Sequence, residues 1–341
     1  MLINSNIVEI FTLATASFIL AFALTPFWTH VLYKYRMSKQ LREKAWDNTS
    51  AEVYLKLHEK KANTPTMGGI LIWGTAAILT IVFNLSRSQT WLPVFILVVS
   101  GILGMIDDYM NIRGISQVKG LNAKTKFLFQ FVIAAAGAWW FVDKLEFNSL
   151  YLPIVSAFGY DPVLIIGPFL YAIIFILTVV FVSNAVNITD GLDGLAGGVL
   201  ATSFGAYALI SFLQGRFGLA VFCATILGAL LAFLWFNIHP ARFFMGDTGS
   251  LALGATLAVV AMLTDSLVVL PIIGFVFVAE GLSSLIQRFS KKYFGRKIFI
   301  SAPVHHHFEA LGWPETKVTM RFWVISAVCA VIGVTINLIG R

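Results

Sequence analysis

Five short stretches of this 341-residue chain gather side chains able to do chemistry. Asp107-Asp108-Tyr109 sets two carboxylates side by side. The segment from Asn184 to Ala196 holds Asn184, Asn187, Asp190 and Asp193. Its two acids are three apart, so a helix would put them on one face, and each precedes a glycine that admits a tight turn and a close phosphate. Phe243-Phe244-Met245-Gly246-Asp247-Thr248-Gly249-Ser250 offers a further carboxylate among small residues whose amides could face phosphate at a helix start. His305, His306 and His307 run consecutively before Phe308 and Glu309, and Lys60-Lys61 leads into Thr64-Pro65-Thr66-Met67-Gly68-Gly69. Acids without cysteine form a hard, oxygen-rich set suited to Mg²⁺ and diphosphate. A zinc site at the histidines is disfavoured, because adjacent side chains diverge and no cysteine is close; hydrogen bonding to phosphate suits them better. Each stretch also has a plainer reading: boundary acids, a helix cap at Asp247, lysines meeting lipid headgroups.

The elements that must carry these residues are membrane helices. The chain is 58% hydrophobic and 12% charged, with a mean hydropathy of +0.83, far from the roughly 25% charge of a soluble domain. Ten apolar runs are expected to span, at about 7–33, 68–85, 91–109, 126–142, 163–184, 193–213, 217–236, 249–264, 267–288 and 319–339. Of the 24 Lys and Arg, 20 fall in the loops of one side and 4 on the other. The positive side is cytoplasmic, which puts both termini outside. The formal charge of +7 therefore belongs to membrane topology, and nucleic-acid binding is not expected. The whole chain, 1–341, reads as one all-α integral membrane domain. Residues 38–60 form a cytoplasmic loop or an interfacial helix; 145–162 form an extracytoplasmic loop, as a small hairpin or an interfacial plug. Cys223 and Cys329 lie in apolar runs as packing residues.

Topology brings the polar residues together. Asp107 and Asp108, the Asn184–Asp193 segment, Asn237, His239 and Asp247, and all six histidines, His30 and His58 included, fall at or inside the cytoplasmic boundary. Two acids at the C-terminal end of an apolar helix face both the dipole and each other, so something cationic must compensate them: a metal, a lysine or a substrate. Glu280, inside an apolar run, is costly there and rarely idle; it is read as supporting Gln287 and the basic loop.

In order along the chain, TPTMGG, GMIDDY, GLNAKTKFLFQ, NAVNITDGLDGLAGG, WFNIHPARFFMGDTGSLALG and PVHHHFEALGWPETKVTMRFW resemble the phospho-N-acetylmuramoyl-pentapeptide transferase (MraY) family, within the polyprenyl-phosphate sugar-1-phosphate transferases. The resemblance runs from about residue 60 to the C-terminus. It implies ten transmembrane helices, a cytoplasmic-face site in the bacterial inner membrane, and Mg²⁺. It implies transfer from UDP-N-acetylmuramoyl-pentapeptide to undecaprenyl phosphate, giving lipid I and UMP. By position, Asp107 and Asp108 resemble the catalytic pair, with Asp107 the activator of the lipid phosphate, and Asp247 the Mg²⁺ ligand. His306 and His307 fall near the substrate phosphates. Lys61, Thr66, Lys126, Asn187, Asp190, Asp193, Asn237, Phe244, Gln287 and His305 fall on substrate-binding positions. A homodimer is a further option. Asn63, where the family usually has Gly, and Asn111, where a basic residue is common, depart from the pattern. Direct attack by the lipid phosphate is simpler than a phosphoryl-aspartate route. The competing readings are an N-acetylglucosamine-1-phosphate transferase, which the HHHFE segment disfavours, and a transporter, which the absence of an internal repeat disfavours.

Overall fold

The computed structural model describes residues 2–38, 61, 63–86, 88–115, 120–156 and 158–339. The stretch 39–60, for which a loop or an interfacial helix is expected, lies outside them. Helices α1 (Leu2–Lys34), α2 (Gly69–Phe83), α3 (Trp91–Arg113), α4 (Ala123–Trp139), α5 (Pro168–Thr189), α6 (Leu195–Leu213), α7 (Phe217–Asn237), α8 (Gly246–Leu263), α9 (Phe275–Phe294), α10 (Val304–Ala310) and α11 (Glu315–Ile339) follow in order. Among the described residues, eight helices are long and apolar enough to cross a membrane, or nine when α9 is joined to the segment before it. This is a polytopic helical membrane protein. With the backbone's hydrogen bonds closed inside each helix, outward faces such as Phe11, Phe27 and Leu177 can stand exposed to lipid.

Three expected spans are built differently. The run 267–288 is not one straight helix: Leu267–Ile273 meets Phe275–Phe294 at 82°, with Gly274 at the break. The second span contains a helix of 15 residues, about 22 Å long at 1.5 Å per residue, short of the ~30 Å hydrocarbon core. The fifth begins later than residue 163, because Val163–Ile165 is a β-strand, β2, paired antiparallel with β1 (Ser149–Tyr151). That pairing is the small hairpin expected of 145–162, extended by three residues. A turn at Gly167, φ 79°, then leads into α5 with Pro168 in its first turn.

Helix α8 is the axis of the bundle. All eighteen of its residues are buried, packed chiefly by α3 and α5 and, less extensively, by α2. Small residues permit this, since lipid offers no hydrophobic drive between helices and close backbone approach must supply the attraction. A Cβ on Gly104 of α3 would lie 2.1 Å from the Asp247 carbonyl oxygen, and one on Gly69 would lie 2.2 Å from the Gly249 Cα. The N-terminus of this axial helix therefore lies against the C-terminal end of α3 and the start of α2.

Candidate active site

The polar residues converge where α3, α5 and α7 end and α6, α8 and α11 begin. Asp247 is the second residue of α8, where the helix dipole favours a carboxylate. Asp107 sits near the unfavourable end of α3, and the cation required there is Lys126. Its ammonium lies 3.3 Å from Asp107 Oδ2 and in direct contact with Asp247 Oδ2. The lysine is placed by local chemistry: the Asn122 side chain accepts from the Thr125 amide and caps α4, fixing Lys126 one turn inside. The Leu121 amide donates to Asp107 Oδ1 at 2.7 Å. Two carboxylates from different helices thus share one ammonium.

Asp108 faces elsewhere. It is fully buried and accepts from the Thr248 amide at 3.0 Å, tying α3 to the first turn of α8. Asp190 and Asp193 do not share a face as helical spacing suggests. Residues 190–194 form a break between α5 and α6, with Gly194 at φ 75°, and the two side chains diverge. Asp190 accepts from the Gly246 amide at 3.0 Å, next to Asp247. Asp193 enters a second ionic cluster: Lys61 at 2.6 Å, His239 Nδ1 at 2.9 Å and the Ala241 amide at 3.1 Å. Burial pushes the Asp193 carboxyl up, but the Lys61 ammonium and the hydrogen bonds from Lys61, Ala241 and His239 outweigh it and hold the group below the usual carboxylate range.

Glu315, in the first turn of α11, completes this cluster. It touches the Lys61 ammonium, accepts from the Asp193 amide at 2.6 Å and lies 3.4 Å from His239. Glu315 did not stand among the candidates of the sequence, where its one signal was an acid opening the last span at the polar boundary; His239 stood among the gathered polar residues with no role given to it. Phe244 presents its ring 5.8 Å from Lys61 Nζ. The Pro65–Gly69 segment binds 244–245 through its backbone: Phe244 N to Pro65 O, Gly68 N to Phe244 O and Gly69 N to Met245 O, all at 2.8–2.9 Å.

The remaining candidates hold the frame. Asn237 accepts from the Gly194 amide and donates to the Phe243 carbonyl. Asn187 donates to Ser250. Thr66 is buried, its hydroxyl beside Gly246. Gln287 is occupied by the basic loop: its amide donates to the Phe299 carbonyl and accepts from the Ile298 and Phe299 amides. His306 pairs with Glu309 at 2.6 Å and His307 accepts from the Ile300 amide. His305 is fully buried and bonded to Glu280. Glu280 therefore supports a histidine rather than Gln287, because the chain after α9 returns to start α10 against it, the Val304 amide donating to Ser283.

Two sets of donors bear on a metal. Asp193, His239 and Glu315 bring ligand atoms within 4.8 Å of one another, but Lys61 already supplies the cation there. Asp107 and Asp247 are a hard two-carboxylate set of the kind that holds Mg²⁺ with substrate phosphate and water. Because they already share one cation, Lys126, their chemistry fits such an ion.

A helical membrane protein with acids, lysines and histidines gathered at the helix ends of one side has the build of a transferase acting at a membrane surface. The family profile for glycosyl transferase family 4 matches residues 90–265, from the start of α3 through α8. Signature 1 of the phospho-N-acetylmuramoyl-pentapeptide-transferases matches residues 61–72, the segment bound to 244–245. Curated proteins of that name are similar over nearly the full length. The one from Chloroflexus aggregans is 42% identical over 345 aligned positions, covering 96% of this chain and 89% of its own. The one from Geobacillus sp. is 38% identical, covering 94% and 95%; that of Bacillus anthracis is 39% identical, covering 95% and 96%. The chain belongs to the phospho-N-acetylmuramoyl-pentapeptide-transferase family.

Proposed function

We propose that this protein transfers phospho-N-acetylmuramoyl-pentapeptide from its UDP-activated form to undecaprenyl phosphate. A lipid phosphate oxygen forms the new bond to the sugar-bearing phosphorus, and the bond from that phosphorus to UMP breaks. Lipid I and UMP result. The observation that carries the reading is the pairing of Asp107 and Asp247 on one lysine at the helix ends. There an apolar chain anchored in the bilayer can offer its phosphate to a soluble nucleotide sugar.

Phosphoryl transfer asks for positioning and charge neutralisation more than covalent chemistry. Asp107, held from two sides by the Leu121 amide and Lys126, orients the lipid phosphate or takes its proton. Lys126 moves from the carboxylates to the phosphate. The Lys61, Asp193 and Phe244 end receives the nucleotide, and His306 and His307 stand toward the phosphates. Asp247 with Asp107 would hold Mg²⁺, which neutralises charge on the diphosphate. Ten crossings, with both termini extracytoplasmic, in a bacterial cytoplasmic membrane complete the reading. The 20-to-4 Lys/Arg split supports it.

UMP release measured with and without polyprenyl phosphate tests the reaction. Release is expected only with the muramoyl-pentapeptide donor and the lipid together. Release from UDP-N-acetylglucosamine instead, or release independent of lipid, overturns it.

A further inference from the structure

Glu280 has no place in the transfer chemistry, yet it is the one acid of α9 and is fully buried. Its side chain and that of His305 both have 0% exposure, and Glu280 Oε2 lies 2.9 Å from His305 Nδ1. Ser283, one turn on, accepts from the Val304 amide at 3.0 Å, so α9 grips the start of α10 at two points. The far atoms of the pair, Glu280 Oε1 and His305 Nε2, are buried without a hydrogen-bond partner among the described residues. A buried ionisable pair with loose ends is poor stabilisation; apolar residues of similar volume commonly do as well or better. Unsatisfied buried groups call for another explanation.

The neighbour of Nε2 supplies one. A Cβ on Gly191 would lie 2.4 Å from His305 Nε2, so the imidazole edge bears on the backbone of the turn that carries Asp190 and Asp193. A carboxylate acceptor at Nδ1 keeps the proton there and fixes the ring's orientation, the device by which acids hold functional histidines. The His306 ring stacks edge-on at 4.1 Å from His305 and is fixed with it.

We infer that Glu280 is a positioning residue of the transfer centre: through His305 it braces Gly191 and holds the turn from which Asp190 reaches the Gly246 amide and Asp193 reaches Lys61. Glu315 braces the same turn from the opposite side, through the Asp193 amide. This inference deepens the function proposed above and rests on it.

The test uses the full-length protein in detergent, with wild-type UMP release established first; failure at that step sinks the proposed function and not the brace. Glu280→Gln keeps shape but lets the amide either donate or accept, so the ring is no longer fixed. Turnover is expected to fall about 10–100-fold, the usual effect of removing such a supporting group. KM for donor and lipid should stay within about threefold, with apparent Tm nearly unchanged. Because Glu280 acts through His305, Glu280→Gln/His305→Asn should be no slower than His305→Asn alone. Wild-type turnover in Glu280→Gln, or losses that multiply in the double variant, overturns the inference. Should Glu280→Gln fail to fold, ¹⁵N NMR of histidine-labelled wild type decides, with the His305 signals assigned by their loss in His305→Asn. A proton on Nδ1 and none on Nε2 is expected, and a proton on Nε2 refutes the brace.

Discussion

Lys126→Met isolates the balance at the transfer centre. Methionine keeps the unbranched stem of the side chain up to the position of Cε and removes the ammonium that Asp107 and Asp247 share. Removing one partner of a buried ion pair costs about 3–5 kcal/mol. These side chains keep 10–17% of their surface exposed, and water reaching the stranded acids brings the loss to roughly 2–3 kcal/mol. At ~2–4 °C per kcal/mol for a large domain, the apparent Tm in EDTA falls by roughly 4–12 °C. Two stranded hard carboxylates are also what a divalent cation seeks. Millimolar Mg²⁺ should therefore restore most of the lost Tm in the variant, while adding little to wild type, whose ammonium already holds both acids. Tryptophan-fluorescence unfolding of both proteins, with EDTA and with Mg²⁺, reads the effect. A variant as stable as wild type in EDTA, or one that Mg²⁺ leaves unchanged, refutes the shared-cation argument.

Other outcomes follow from the same geometry. Asp107→Asn should lower kcat about 10²–10⁴-fold near pH 7 and less at high pH, where a phosphate monoester with a second pKa of about 6 is already dianionic; a pH–rate profile checks this. Gly104→Ala puts a methyl group 2.1 Å from the Asp247 carbonyl and should cost about 1–3 kcal/mol by overpacking. Gly74→Ala, with nothing within 4 Å, should be neutral in the same thermal assay. Asp193 titrates below its ordinary value of 3.8, so the stability it adds is complete above about pH 4 and is lost as pH falls through the lowered value. Lys61→Gln removes the charge that opposes burial, so the acid-side loss of apparent Tm should begin at a higher pH than in wild type. Introduced cysteines near Lys144, and none near Lys292, should react with an impermeant reagent in intact cells.

That the polar residues gather at one set of helix ends was legible in the sequence because charge is expensive in a bilayer: acids and histidines at the ends of apolar runs stand out. The need for a cation beside Asp107 was legible too, since dipole and repulsion act whatever the fold. Its identity as Lys126 was not, because the pairing depends on the capped turn that starts α4. Asp190 and Asp193 misled by spacing, since Gly191 and Gly194 break the helix that would have aligned them. Glu280 and His305 are 25 residues apart in sequence, and they meet because the chain returns to begin α10 against α9. Glu315 looked like an ordinary acid in a first helical turn.

The short backbone ladder between 65–69 and 244–245 has a consequence in time. The amides of Gly68 and Gly69 are satisfied by the carbonyls of Phe244 and Met245, and those carbonyls are synthesised about 175 residues later. At a translation rate of ~5–20 residues per second, the first part of the site waits roughly 10–35 s for its partner. Through that interval the amides at the entrance of α2 lack these partners. Assembly of the site is thus ordered by synthesis: α8 gives α2 and α3 an axis that was absent when they were made, and Glu315 of α11 comes last.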